Sequence, residues 1–393
     1  MSRPRLLFVS PRFLFPLDEG GKIRTVGVLR AMKGGAFDIT LASPQPDAPL
    51  ATDLASVADR FIGWPAQPTR PFARLLGVAS PLPASVATDR STAGRAVVKS
   101  AIANADVVVA DFPHSAVLLP GQKNGASVMF THNVEAEILE RHASVARGWR
   151  RLVWQREAAK MDRFERRVLQ DFTKVVAVSE RDAKVLASRY GLTDVTRIDT
   201  GVDLDFYPFQ PPRPNASTVV FAGSMDSRSN IDGVEYLLRD VWPRVHAARL
   251  GAHMAVVGRN PPPALVAEAK AAGFQWDFTG YVDDVRPHLQ AGDISVIPLR
   301  VGSGTRLKAF EAMAIGLPVV STTLGVEGLG LKPDAEYCAA DDASAFAEAI
   351  IRLLDDADLR RRLAKAGRAL LEARYSWSVI GKQFEAICLA ALP

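Results

Sequence analysis

The stretch VGSGTRLKAFEAMAIGLPVVST, residues 301–322, places small residues and cations at the mouth of an apolar helix. Thr305 is a residue type favoured at an N-cap, and Gly316 ahead of Leu317-Pro318 is a stop, so a helix is predicted over 305–315. Gly302 and Gly304, on either side of Ser303, remove the side chains that would hold a ligand away from the loop amides. The helix dipole adds partial positive charge at the same point, and Arg306 and Lys308 add full charges. A pyrophosphate satisfies all of these features together, and a diphosphate implies a nucleotide. The competing reading is an ordinary capped helix with solvated cations. Glu311 lies inside the apolar run AFEAMAIG, where a carboxylate needs partners to offset leaving water. The vicinal hydroxyls of a ribose would supply two, and an i, i+3 pair with Lys308 is the alternative.

Outward from this stretch, short apolar runs alternate with helical patterns along the whole chain. RLLFVS, FDITLAS, DVVVAD, SVMFTHN and KVVAVS mark the first half; TVVFAGS, AHMAVVG, DISVIPL and PVVST mark the second, with helices such as 231–247 between them. Continuous rather than alternating apolar runs predict strands buried on both faces of a parallel sheet. The segment DTGVDLDFYPFQPPRPNAS, with four prolines, separates the halves, so a boundary is expected near residue 205 with a surface connection through 217. Two doubly wound α/β domains are expected. Such domains bind ligands outside the carboxyl ends of their strands, and two facing each other make a cleft.

With 393 residues and 48% apolar content, the chain can bury a core in each half. Cys338 and Cys388 have no C-x-x-C spacing and no histidine cluster beside them, so neither a disulfide framework nor a zinc site is expected. The opening MSRPRLLFVSPRF offers only a four-residue apolar run, and no stretch approaches 18 apolar residues, which argues for a cytoplasmic protein without a membrane span. The net charge of +5 is concentrated: residues 141–167 hold nine Lys/Arg against three acids. In this window Trp154, Ala158, Met161, Phe164 and Val168 form one helical stripe to pack on a sheet, and the arginines fill the other faces. An anionic membrane surface is the partner this suggests, with a solvated face as the alternative. Nucleic acid is not expected, since no aromatic platform or recognised module accompanies the charge.

The segments GTRLKAFEAMAIGLPVVST and TGYVDDVRPHLQAGDISVIPLRVG together resemble the donor-binding core of the family 4 glycosyltransferases, which have the two-domain GT-B fold. The resemblance extends to VSPRFLFPLDEGGKIRTVGVLRAM, FTHNVEAEI, VVAVSERDAKVL and DTGVDLDFYPF, and is nearest to bacterial sugar transferases of exopolysaccharide and cell-surface polysaccharide assembly. It implies an N-terminal acceptor-side domain over 1–205, a nucleotide-sugar donor domain over 206–370, and a helix over 371–393 that crosses back to the first domain. It gives Glu311 a ribose contact and Arg306 and Lys308 a diphosphate role. Gly20 and Gly21 then approach the donor, Tyr281 and Val282 lie near the donor base, and His132 lies near the reacting sugar as the catalytic or orienting residue, with Asn133 and Glu135 secondary. Two departures stand out. Ser303 occupies the place of the family's sugar-contacting glutamate, and Ser224 and Ser229 occupy those of an arginine and a lysine, with Arg228 a stand-in.

No metal cluster is apparent and no cofactor is implied beyond the nucleotide sugar as co-substrate. The resemblance implies retention of configuration, with positioning and electrostatic stabilisation of the departing nucleotide carrying the reaction. The expected acceptor is lipid-linked or polysaccharide, at the inner membrane face. Alternatives are a non-catalytic nucleotide-sugar-binding or scaffolding subunit, and a nucleotide-sugar epimerase.

Overall fold

The apolar runs become strands in the computed structural model, which describes residues 3–46, 51–66, 80–121, 125–301 and 307–393. Contacts divide the chain into two units, Met1–Gly201 with Trp377–Pro393, and Val202–Ser376.

Unit 1 is built on β1 (Arg5–Val9), β2 (Asp38–Gln45), β3 (Arg60–Pro65), β4 (Val107–Asp111), β5 (Ala126–Phe130), β6 (Lys174–Ala177) and β7 (Val195–Arg197), all parallel, in the order β3-β2-β1-β4-β5-β6-β7. The order reverses at β1, so a crevice opens outside the carboxyl ends of β1 and β4. Helix α1 (Gly20–Met32) follows β1, and the C-terminal helix Trp377–Ala390 packs against it. That packing depends on missing side chains. A Cβ on Gly27 would lie 2.3 Å from the Trp377 indole, one on Gly201 2.4 Å from the same ring, and one on Gly381 2.4 Å from Ala31 Cβ. Ile380, Phe384 and Cys388 of the C-terminal helix are fully buried in the unit 1 core, each apolar side chain of this size contributing about 1.5–3 kcal/mol.

Helices α2 (Glu135–Val145) and α3 (Trp149–Leu169) pack on one another. Ala158, Met161, Phe164 and Val168 are buried, while Trp154 is half-buried and stacks on His142 with ring centroids 4.9 Å apart. The same helix also buries charge. Lys160 donates to Glu157 at 2.6 Å, and Glu165 accepts from the Glu135 and Ala136 amides at 3.0 and 2.9 Å, satisfying the start of α2.

Unit 2 repeats the architecture with β8 (Thr218–Ala222), β9 (His253–Val257), β10 (Trp276–Phe278), β11 (Ile294–Ile297), β12 (Val319–Ser321) and β13 (Cys338–Ala339), parallel throughout, in the order β10-β9-β8-β11-β12-β13. Its reversal falls between β8 and β11. Helix α4 (Arg228–Tyr236) follows β8, and α5 (Leu307–Ile315) precedes β12. The end of α5 is fixed by Gly316, whose φ of +100° suits only glycine and whose absent Cβ would lie 2.3 Å from the Gln210 carbonyl oxygen. Both cysteines are buried and unpaired. Among the described residues no helix is long and apolar enough to cross a membrane.

Candidate active site

In unit 2 the chain leaves β8 at Ala222 and passes through Gly223 and Ser224 before α4 begins. Asn230, in the first turn of α4 and 8% exposed, donates from Nδ2 to the Ser224 carbonyl oxygen at 2.7 Å. That bond fixes the amide's orientation and turns Oδ1 toward Lys308, whose Nζ donates to it at 2.8 Å. The ammonium also lies over the Phe221 ring, 4.8 Å from its centroid. A Cβ on Gly223 would stand 2.3 Å from that Nζ and 2.9 Å from Asn230 Nδ2. The cation thus occupies room that only a glycine leaves, at the strand-order reversal where such sheets collect ligands.

Glu311 lies one turn along α5, beside Tyr207. Burial pushes the Glu311 carboxyl above its ordinary range, while the nearby Tyr207 hydroxyl and the Lys308 charge oppose the rise. Tyr207 is raised in turn by burial, then by the negative charge beside it.

In unit 1 the residues around the β1–β4 reversal form a buried network. His132 Nε2 lies 2.8 Å from Asp111 Oδ1, and its Nδ1 lies 3.1 Å from Arg24 Nη1. A guanidinium nitrogen only donates, so Nδ1 accepts, and Nε2 carries the proton given to Asp111. The imidazole is therefore neutral, and burial lowers its pKa against the raising effect of Asp111. Asp111 also accepts from Ser10 and Thr25 hydroxyls, each at 2.9 Å. Arg24 donates to Thr200 Oγ1 from Nε and Nη2, and burial lowers its pKa to about 10. Phe112 stacks on the imidazole at 4.0 Å with its backbone at φ +64°, a strained region for a side chain of its size. A Cβ on Gly21 would meet the Phe112 ring at 2.5 Å, so Gly21 is brought to His132 through Phe112, while nothing stands within 4 Å of a Cβ on Gly20.

Residues 20–206 match the family described as Glycosyltransferase Family 4, and residues 216–356 match Glycosyl transferases group 1. The chain belongs to the family 4 glycosyltransferases. A phosphatidyl-myo-inositol mannosyltransferase of Mycobacterium leprae is 31% identical over 201 residues, covering 49% of this chain and 52% of the relative. A glycogen synthase of Mycobacterium tuberculosis is 26% identical over 213 residues, covering 51% and 50%. The chain spans about half the length of the curated relatives it matches. In fold it is similar to the sucrose-phosphate synthase of Thermosynechococcus elongatus, with a TM-score of 0.66 and 20% identity over 99% of each chain. The two Rossmann-like units are those of the GT-B class.

Within this family member the expected site residues fall into four sets. Lys308 and Glu311 share one face of α5 in unit 2, and His132 and Gly21 share the buried network of unit 1. Gly302, Ser303, Gly304, Thr305 and Arg306 lie outside the described residues. The remaining candidates stand apart from these contacts: Arg228 is exposed at the first position of α4, Tyr281 is exposed just after Gly280, and Val282 is half-buried against the unit 2 core. Arg259, absent from the sequence reading, reaches Ser224, its Nε 3.3 Å from Oγ and 2.5 Å from Asp226 Oδ2. Sequence reasoning also missed Asn230, Gly223 and Tyr207 in unit 2 and Arg24, Thr25 and Asp111 as partners of His132. The only sequence signal for Asp111 was its place at the end of the run DVVVAD. Among the described residues no group of three His, Cys, Asp or Glu side chains is arranged to hold a metal.

Proposed function

We propose that the chain moves a sugar from a nucleoside-diphosphate sugar to a lipid-linked or polysaccharide acceptor, with retention of configuration and without a metal or other cofactor. The observation that carries this reading is the seating of Lys308 on Asn230 in the space left by Gly223, at the carboxyl end of β8, with Glu311 one turn away. A preorganised ammonium at this point neutralises charge as it develops on a departing diphosphate and needs no reorganisation to do so. Arg306 and the amides of 302–305 are assigned to the same diphosphate from sequence, Arg228 is assigned a supporting phosphate contact, and Tyr281 and Val282 are assigned to the base. Glu311, a carboxylate beside Tyr207 on the same face as Lys308, has acceptor capacity for ribose hydroxyls.

His132 is assigned a positioning role. With one nitrogen on Arg24 and the other on Asp111, its ring fixes the carboxyl-end surface of β4 and β5 rather than offering a base. Retention without a protein base agrees with a leaving phosphate that itself takes the acceptor's proton. The lipid-linked acceptor is supported by the name of the mannosyltransferase relative and by the basic window 141–167, which we assign to an anionic membrane surface at the cytoplasmic face.

Thermal-shift measurements against UDP-, GDP- and ADP-sugars, followed by transfer to a membrane extract with the donor that stabilises, test the proposal. Stabilisation and label transfer by one donor class are the expected result. Stabilisation without transfer to any extract would leave a binding protein and end the enzymatic reading.

A further inference from the structure

The link between α2 and α3 exposes apolar surface. Val145, Trp149 and Leu152 are 78%, 70% and 68% exposed, three large apolar side chains within eight residues. Scattered exposed hydrophobics are ordinary, whereas a cluster rimmed by charge marks a binding surface. The rim here is of one sign. Residues 141–156 contain Arg141, Arg147, Arg150, Arg151 and Arg156 and no acid at all. The nearest acids on these helices are engaged elsewhere: Glu157 pairs with Lys160, Glu137 with Arg181, and Glu140 and Asp162 with Arg189. The Arg150 guanidinium lies 5.7 Å from the Trp149 ring, so cation and indole present themselves together. Gly148, at φ +60°, makes the turn that brings the two helix ends side by side.

We propose that this turn is a membrane-inserting tip: Val145, Trp149 and Leu152 enter the acyl boundary of an anionic bilayer, and Arg147, Arg150 and Arg151 pair with lipid phosphates around them. The proposal rests on the lipid-acceptor reading above and names the surface that holds the protein at its acceptor. The opposite faces of both helices are committed to the unit 1 core through Ala136, Met161, Phe164 and Val168, so the tip is free to dip without unfolding anything. An indole with an adjacent guanidinium suits the boundary between headgroups and chains, where each cation adds about 1 kcal/mol of attraction, or roughly fivefold in partition. A second copy of the chain is disfavoured as the occupant, because it would bring two arginine rims of like charge together.

The test is co-sedimentation of the full chain with phosphatidylcholine vesicles and with vesicles containing phosphatidylglycerol. The chain should partition at least tenfold more strongly to the anionic vesicles. Trp149→Ser with Leu152→Ser should lower that partition about tenfold while keeping the lipid preference, and Arg147→Gln, Arg150→Gln and Arg151→Gln together should remove the preference. Brominated acyl chains should quench fluorescence in the wild type and not in Trp149→Phe. Unchanged partition in the Trp149/Leu152 variant, no quenching, or a variant that changes the oligomeric mass instead would overturn the proposal. Nucleoside diphosphate binding, measured on the same samples, reports separately on the glycosyltransferase reading, since the tip lies in the unit that does not carry Lys308.

Discussion

The Nζ of Lys308 lies 2.8 Å from the side-chain oxygen of Asn230, in space that a single methyl group on Gly223 would fill. Three residues that are 85 positions apart at their extremes thereby fix one positive charge at the point where the strand order of unit 2 reverses.

Gly223→Ala should mimic the loss of the lysine. The new Cβ meets the far end of the flexible Lys308 side chain, which swings away, and presses on the Asn230 amide at 2.9 Å, which needs to give by only a few tenths of an ångström. A hydrogen bond to a charged group is worth about 1.5–3 kcal/mol, which predicts a loss of roughly ten- to a hundredfold in nucleoside diphosphate affinity with little change in Tm. Asn230→Ala should fall in the same direction by less, because the ammonium remains and only its orientation is lost. Calorimetric titration of the two variants checks both expectations.

His132 should stay neutral, with its proton on Nε2, across the range where free histidine titrates. Its folded pKa is lowered, so the unfolded chain takes up the proton first and stability declines as pH falls below about 6.5. Long-range nitrogen–proton correlation of the imidazole distinguishes the tautomers. A signal from a proton on Nδ1, or a titration centred near 6.5, would refute the assignment built on Arg24 and Asp111.

Glu165 predicts the opposite pH trend at the α2–α3 contact. Burial pushes this carboxyl from 4.5 up to about 7 even though two amides and the Tyr190 hydroxyl donate to it. A folded pKa above the unfolded one stabilises the protein at low pH, and that stabilisation, about 3 kcal/mol in all, is lost as pH rises through 7. Denaturant melts between pH 5 and 8 should therefore show a falling midpoint that Glu165→Gln flattens.

The C-terminal helix should be sensitive to single methyl groups. Gly27→Ala and Gly381→Ala each insert a Cβ within 2.4 Å of Trp377 or Ala31, and such overpacking costs about 1–3 kcal/mol. A drop in Tm for both, with nucleotide affinity in unit 2 unchanged, is expected from thermal unfolding with and without UDP.

Much of this fold was legible because interior parallel strands are buried on both faces and read as unbroken apolar runs. The strands that escaped, β3, β7, β10 and β13, are the two edges of each sheet, only partly buried and, β3 apart, two or three residues long, so RFIGWP, VTR, WDF and CA carry no such run. The site divided along a similar line. Lys308 was proposed as a cation at the mouth of a helix, and Glu311 because a carboxylate inside an apolar run is costly and demands a partner. Asn230 and Gly223 were not, because an amide and a glycine near a helix start are unremarkable until a second segment, 78 residues away, supplies the ammonium they accommodate. His132 was found from its place after a strand, yet its tautomer depended on Arg24, 108 residues earlier, and no local pattern announces that pairing.

The most direct test of the central claim is the difference in affinity between nucleoside diphosphates and monophosphates, measured by titration calorimetry in the wild type and in Lys308→Ala. If Lys308 holds the leaving diphosphate, UDP or GDP binds at least tenfold tighter than UMP or GMP, and the variant closes most of that gap. A wild type that does not distinguish them, or a variant that keeps the full difference, would contradict the account.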